Sequence, residues 1–205
     1  MKRWMTSPPG SWRGHCLRAA LRRWRHVQAV AAEARRLADC AGIEPATVTC
    51  AAWLHDIGYA QSLHDSGFHP LDGARYLREH GWDGEICRLV AHHTDAAQRV
   101  ERQDLADLLN AEFPCIDGIE RDILWTADVT TGPTGERGTL DERIDEIVNR
   151  YGVDSGHSRS LMSSRPALAA AVARTATRTR DRQPEASRAV ARVDAARRTV
   201  VDRWA

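Results

Sequence analysis

The chain has 205 residues, with 29 Lys and Arg against 28 Asp and Glu, a net charge of +1 and 42% hydrophobic residues, which suits one domain with extensions and a sizeable core. No run of eighteen apolar residues occurs, which argues against a membrane-spanning helix, and the basic N-terminus lacks the apolar centre of a signal peptide. The five cysteines, at 16, 40, 50, 87 and 115, have no CxxC or paired spacing, the usage expected of reduced thiols in a cytoplasmic protein.

The near-neutral total conceals three segments. Residues 1–25 carry seven basic side chains and no acidic one; residues 26–156 carry 11 basic against 24 acidic, and residues 157–205 carry eleven arginines against four acids. This divides the chain into a flexible basic N-terminus (1–16), an acidic central domain (17–154), and a linker with an Arg/Ala-rich tail (155–205).

Helical periodicity dominates from the start. Leu21, Trp24, Val27, Val30, Ala34 and Leu37 form an amphipathic stripe between Leu17 and Leu37, with His26 beside it. After Gly42, Glu44-Pro45 opens a second helix that is apolar on most sides (Val48, Ala51, Ala52, Trp53, Leu54), the expected buried centre of the domain. It ends at His55-Asp56, where Gly58 is expected to leave the helix with a positive φ. His69-Pro70 begins a third helix, running to Gly81, and a fourth spans about Gly84 to His93, with His93 on its apolar stripe and His92 off it. A short helix at 105–109 precedes the Pro114 break, and Ile119 to Val129 is strongly apolar yet carries Asp128. A buried carboxylate there is costly unless something positive faces it. Gly132-Pro133-Thr134-Gly135 is a turn, Thr139 and Glu142 have capping-box spacing, and Gly152 closes the helix they begin. Residues 155–164 read as a linker; Pro166 to Thr179 and Pro184 to Trp204 read as helix-capable, with Val190, Val193, Val200, Val201 and Trp204 on one narrow strip. Strand signals are absent. The expected fold is all-α, a compact bundle of five to seven helices around an apolar central helix, with a helical or partly disordered basic tail.

The chemistry lies in an ordered series: His26, then His55-Asp56 within Leu54-His55-Asp56-Ile57-Gly58, then His69, then Ala91-His92-His93-Thr94, then Asp128 within Trp125-Thr126-Ala127-Asp128. Imidazole nitrogens and carboxylate oxygens from several helices suit a five- or six-coordinate divalent cation such as Fe, Mn, Co or Zn. In this order, with Arg23-Trp24-Arg25-His26-Val27 opening the first helix, the series resembles the HD-domain metal-dependent phosphohydrolases over about residues 20–150. The resemblance implies a mononuclear site of His26, His55, Asp56 and Asp128. It implies a second ion if His69 and His92 also ligate, with Asp56 as the bridge. The alternative for His69 is a helix-start role, and for His92 a hydrogen bond to phosphate. The GYP signature of the cyclic dinucleotide phosphodiesterases in that family is missing after His93, where Thr94-Asp95-Ala96 follows.

The reaction the resemblance implies is hydrolysis of a phosphate ester in a nucleotide or another small phosphorylated metabolite by water acidified on the cation. Asp56, His92 and His93 are the expected catalytic residues, either histidine serving as the acid for the leaving oxygen. Arg75, Arg99 and Arg102 are candidate phosphate ligands but read better as surface residues, and Asp65 and Asp72 receive no role. Two other readings stand beside hydrolysis. One is an HD-type di-iron oxygenase using the same six residues. The other is a non-catalytic nucleotide-binding or regulatory module, although no nucleic-acid motif accompanies the basic tail. No membrane partner is expected, and the sequence does not specify an oligomeric state.

Overall fold

The computed structural model describes the backbone of residues 10–202 and the side chains of residues 21–182. The N-terminal segment 1–16 and the strip from Val190 to Trp204 lie wholly or largely outside the described residues, so the expectations placed on their side chains are not addressed. Nine α-helical segments occur among the described residues: α1 (Gly10–Ala41), α2 (Ala46–Leu54), α3 (His69–Glu79), α4 (Gly84–Ala91), α5 (Ala96–Arg99), α6 (Gln103–Glu112), α7 (Ile119–Val129), α8 (Leu140–Tyr151) and α9 (Gly156–Asp202). Single 3₁₀ turns cover Ile57–Tyr59, Gln61–Leu63 and His93–Asp95. No strand occurs among the described residues; one isolated bridge joins Thr131 to Arg137. The fold is all-α as expected, with more helical pieces than the five to seven anticipated because α5 is only four residues long and the tail is helical from its start.

The apolar stripe of α1 is buried from Val27 onward, while Leu21 and Trp24 at its beginning are exposed. Trp24 lies against Trp53 of α2, ring centroids 5.7 Å apart, and Trp53 is itself exposed. So α2 buries Val48, Ala51 and Ala52 but is not apolar-packed all round. The central helix is α7, in which every residue from Asp122 to Val129 is buried. One side of α7 gives Ile123, Leu124 and Ala127 to a core shared with α1–α4 and α6. Its other side gives Trp125 and Val129 to a second core with Leu140 and Ile144 of α8 and Leu161, Leu168 and Ala171 of α9.

That second core explains why residues 155–164 are not a linker. Leu161 and the buried Ser158 and Ser164 seat the first turns of α9 on α7 and α8. The helix continues past Pro166 and Pro184, although an interior proline costs a helix about 3 kcal/mol. Arg174 clasps Asp122 of α7 through two bonds of 2.6 and 2.8 Å, Nε to Oδ2 and Nη2 to Oδ1. Thr126 and Thr175 satisfy each other in the same interface at 3.1 Å. α8 is fixed by the predicted capping box: Thr139 Oγ1 accepts from the Glu142 amide, and Glu142 accepts from the Thr139 amide. Gly152 ends it with a φ of +87°.

Gly58 has a different purpose from the one its sequence position suggests. It does not adopt a positive φ. A Cβ at Gly58 would lie 2.0 Å from the His69 carbonyl oxygen and 2.8 Å from the Gly73 amide. The glycine therefore permits the turn after α2 to touch the start of α3, which brings His69 beside His55 and Asp56.

Candidate metal centre

Four helix ends or turns and the middle of α1 converge on one point. His26 comes from α1, His55 and Asp56 from the end of α2, His69 from the start of α3, His93 from the turn after α4, and Asp128 from the last turn of α7. His26, His55, His93 and Asp128 are all buried. Three of the imidazoles are held the same way. Nδ1 of His55 donates to the Ala52 carbonyl at 2.7 Å, Nδ1 of His93 to the Val90 carbonyl at 2.7 Å, and Nδ1 of His26 to the Gly132 carbonyl at 3.1 Å. Each bond fixes the ring and turns Nε2 toward the common centre, as backbone carbonyls do for metal-binding histidines.

Asp56 is the hub. Its Oδ1 lies 3.6 Å from His55 Nε2, 3.8 Å from His69 Nε2 and 3.9 Å from His93 Nε2. Two donor groups share it: His26, His55 and Asp56 on one side, and Asp56, His69 and His93 on the other, the ligand atoms of each within 4.8 Å of one another. Asp128 Oδ1 joins the first side, 3.0 Å from His26 Nε2 and 3.9 Å from His55 Nε2.

The donors fit a cation on three counts. His55 Nε2 is buried without a hydrogen-bond partner among the described residues, an arrangement that costs free energy unless something coordinates the lone pair. His69 Nε2 and His93 Nε2 face each other at 3.2 Å, so two neutral rings would oppose lone pairs unless a proton or cation lies between them. Nitrogen and carboxylate donors together are those that suit Fe, Mn, Co and Zn.

Electrostatics separate the two sides. Burial opposes ionisation of Asp56, but the neighbouring His55, Arg23, His69 and His93 outweigh it and hold the carboxyl well below its ordinary range. Burial likewise opposes the charge on Asp128, which its bond with His26 and the charges of His55, His26 and His93 reverse. Burial and the repulsion of neighbouring imidazoles lower both histidines of the second side, His93 to about 4 and His69 well below its ordinary value. For His26 burial is opposed by the bond to Asp128, and the net shift is upward.

His92 is turned away from this centre. Its Nε2 is 2.5 Å from the Phe113 carbonyl, and its own carbonyl accepts from Trp125 Nε1 at 2.7 Å. His92, expected as a ligand and catalytic residue, therefore stands outside both donor groups, and His93 is the member of the pair that enters the second, because α4 ends at Ala91 and the 3₁₀ turn that follows carries His93 inward. That turn is strained: Thr94 and Asp95 both have positive φ, 52° and 58°. Thr94 Oγ1 donates to Asp128 Oδ2, which joins the turn to the carboxylate. Asp72 is structural, accepting from the Ser66 amide and hydroxyl and the Asp65 and Gly67 amides, and Asp65 pairs with Arg75.

The cluster floors a cavity of about 650 Å³ whose wall includes Arg22, Arg23, Arg99, Arg143 and Arg150. Arg23 reaches Asp56 Oδ2 at 2.5 Å and lies 3.5 Å over the Tyr59 ring, which itself stacks on His69 at 3.8 Å. Sequence reasoning gave Arg23 no role, although it precedes His26 by one helical turn. Arg99 faces the cavity and is half-buried, unlike the surface residue expected; Arg75 and Arg102 are engaged elsewhere, with Glu112 and Asp104. Arg143, Arg150 and Tyr151 had no signal in the sequence, since only the docking of α8 brings them to the cavity.

Residues 23–112 match the model of the HD domain. Over this segment the chain is similar to the HD domain. HD domains are metal-dependent in general, and the two donor groups sharing Asp56 can hold divalent metal ions. The match includes five of the six converging residues but ends before Asp128 and before the cationic wall of α8. A stretch of 72 residues is also 38% identical to a tRNA (cytidine(56)-2'-O)-methyltransferase of Picrophilus torridus, covering 35% of this chain and 20% of that protein. The chain therefore spans about a fifth of the length of that curated relative. No solved structure matches the chain. Among the described residues, no helix is long and apolar enough to cross a membrane.

Proposed function

We propose that the protein is a metal-dependent phosphohydrolase acting on a nucleotide or another small phosphorylated metabolite. The observation that carries this reading is the juxtaposition of two donor groups sharing Asp56 with a cavity wall rich in arginine. His26, His55, Asp56 and Asp128 would hold one ion, and Asp56, His69 and His93 a second. Such ions, when bound, supply water acidified toward neutral pH and polarise a phosphoryl oxygen. Hydrolysis would form a bond from a water oxygen to phosphorus and break the ester P–O bond, the alcohol leaving with a proton.

The chain's own residues would do the rest. Arg23 holds Asp56 by its outer oxygen, and Thr94 holds Asp128. Tyr151, about half exposed with its ring stacked on His157, and Ile147 line the cavity and offer apolar surface suited to a base or sugar, whereas the Tyr59 ring is already occupied by Arg23 and His69. A cavity of this volume is in the range that takes a nucleotide-sized ligand. His93 serves better as an ion donor than as an acid, because burial and the neighbouring His55 push its pKa down to about 4 and leave Nε2 unprotonated at neutral pH.

The test is release of phosphate or alcohol from aryl phosphate monoesters and diesters and from a nucleotide panel, with Mn, Fe, Co or Zn supplied, in the presence and absence of oxygen. Metal-dependent hydrolysis independent of oxygen, lost in Asp56→Ala, is expected. Turnover that needs both iron and oxygen would instead establish the oxygenase reading.

A further inference from the structure

Five guanidinium groups line the cavity, and four differ from the fifth. Arg23 is bonded to Asp56, and Arg143 and Arg150 both pair with Glu146. Arg22 stands exposed at the rim. Arg99, at the end of α5, is half-buried and has no carboxylate within ion-pair distance among the described residues. Its one hydrogen bond among the described residues is a long 3.5 Å contact from Nη1 to the Thr94 carbonyl, and its Nε is buried with no partner among them. Burial depresses its pKa, and Arg143 is near enough to add repulsion. A guanidinium drawn out of water without a partner is costly, and arginine is retained in such places where a planar fork meets an oxyanion.

Its position is built. The strained Thr94–Asp95 turn joins His93 to α5, which packs on α6 and α9. The residue that closes the second donor group and the arginine are therefore set by one short segment. Asp56 and Asp128 attract Arg99 from a distance, but both belong to the donor groups and neither is bonded to it.

We propose that Arg99 is the substrate-anchoring residue of this cavity, a fork that binds the phosphoryl oxygens of the substrate beside the two donor groups, with Arg143 adding a second positive charge. The proposal rests on the phosphohydrolase reading for its substrate, but its geometry is that of any tetrahedral oxyanion bound next to the cluster.

Inorganic phosphate is the probe. Its binding to the metal-loaded full chain is measured by calorimetry for wild type, Arg99→Gln, Arg99→Lys and the control Arg102→Gln, with metal content and thermal unfolding recorded on the same samples. Arg99→Gln should bind phosphate roughly 10- to 100-fold more weakly, the range for losing charge-assisted hydrogen bonds. Arg99→Lys should lie between, because it keeps the charge and loses the fork, and Arg102→Gln should match wild type. Metal content and melting temperature should not fall in Arg99→Gln, since no carboxylate is left unpaired. Phosphate binding equal to wild type in Arg99→Gln, no phosphate binding by wild type, or an unfolded Arg99→Gln would each overturn the proposal. Aryl phosphate hydrolysis separates the two claims: hydrolysis untouched by Arg99→Gln removes the anchor and keeps the hydrolase, whereas phosphate bound through Arg99 without any hydrolysis keeps the anchor and removes the hydrolase.

Discussion

Thr94 is a β-branched residue at a φ of 52°, followed by Asp95 at 58°, and left-handed non-glycine residues cost of order 1–3 kcal/mol each. What the strain maintains is visible at both ends of the turn: His93 faces inward while His92 faces Phe113, and the Thr94 hydroxyl reaches Asp128. Thr94→Val exchanges the hydroxyl for a methyl and should weaken metal binding about 10- to 100-fold, the usual effect of losing a partner that orients a ligand. Thr94→Ser should restore it, and metal titration of the two variants checks both. The adjacent histidines show where residue-level reading stops. The His-His pair signalled a ligand, and the apolar stripe even put His93 inward. Which of the two ligates is decided by where α4 ends and by a backbone conformation that Thr and Asp rarely adopt, and no sequence pattern announces that.

At the level of elements, the centre exists because helix ends are brought close. The Gly58 contact with the His69 carbonyl is the tightest of these approaches. Gly58→Ala would force the α2 turn and α3 apart, with the roughly 1–3 kcal/mol cost typical of overpacking. It should lower the melting temperature and the metal content together; a stable variant with full metal content would show that the turn has room to give. Helix positions were legible at several local signals: Pro45, His69-Pro70, the Thr139 capping box and Gly152 all lie at element boundaries, although Pro166 and Pro184 lie inside α9. The start of α9 was not legible, because Ser155 to Ser164 is polar by composition and its helix depends on Leu161 meeting Trp125, Val129 and Leu140 across the fold. The same applies to Trp24 and Trp53, apolar by type yet exposed, and packed chiefly on each other.

For the whole molecule, the two sides of the centre differ in how they meet protons. His26 has an elevated pKa and, with both ring nitrogens facing acceptors, holds its Nε2 proton to higher pH than an ordinary imidazole. A metal on that side must displace the proton, so its binding should weaken as pH falls through the raised His26 value, already above the ordinary histidine value of about 6.5. His69 and His93 are shifted the other way, His93 to about 4, and remain unprotonated donors well into acid. Equilibrium dialysis across this range should therefore show two-step metal loss, the His26 side first; simultaneous loss of all metal would contradict the division. The account stands most directly on metal stoichiometry in protein prepared without chelator and then supplied with Mn, Fe, Co or Zn, measured for wild type, Asp56→Ala, His93→Ala and His92→Ala. We predict two equivalents in wild type, neither retained in Asp56→Ala, one in His93→Ala and two in His92→Ala. Wild-type protein that takes up no metal, or His92→Ala that loses it while His93→Ala does not, would contradict a centre built on Asp56.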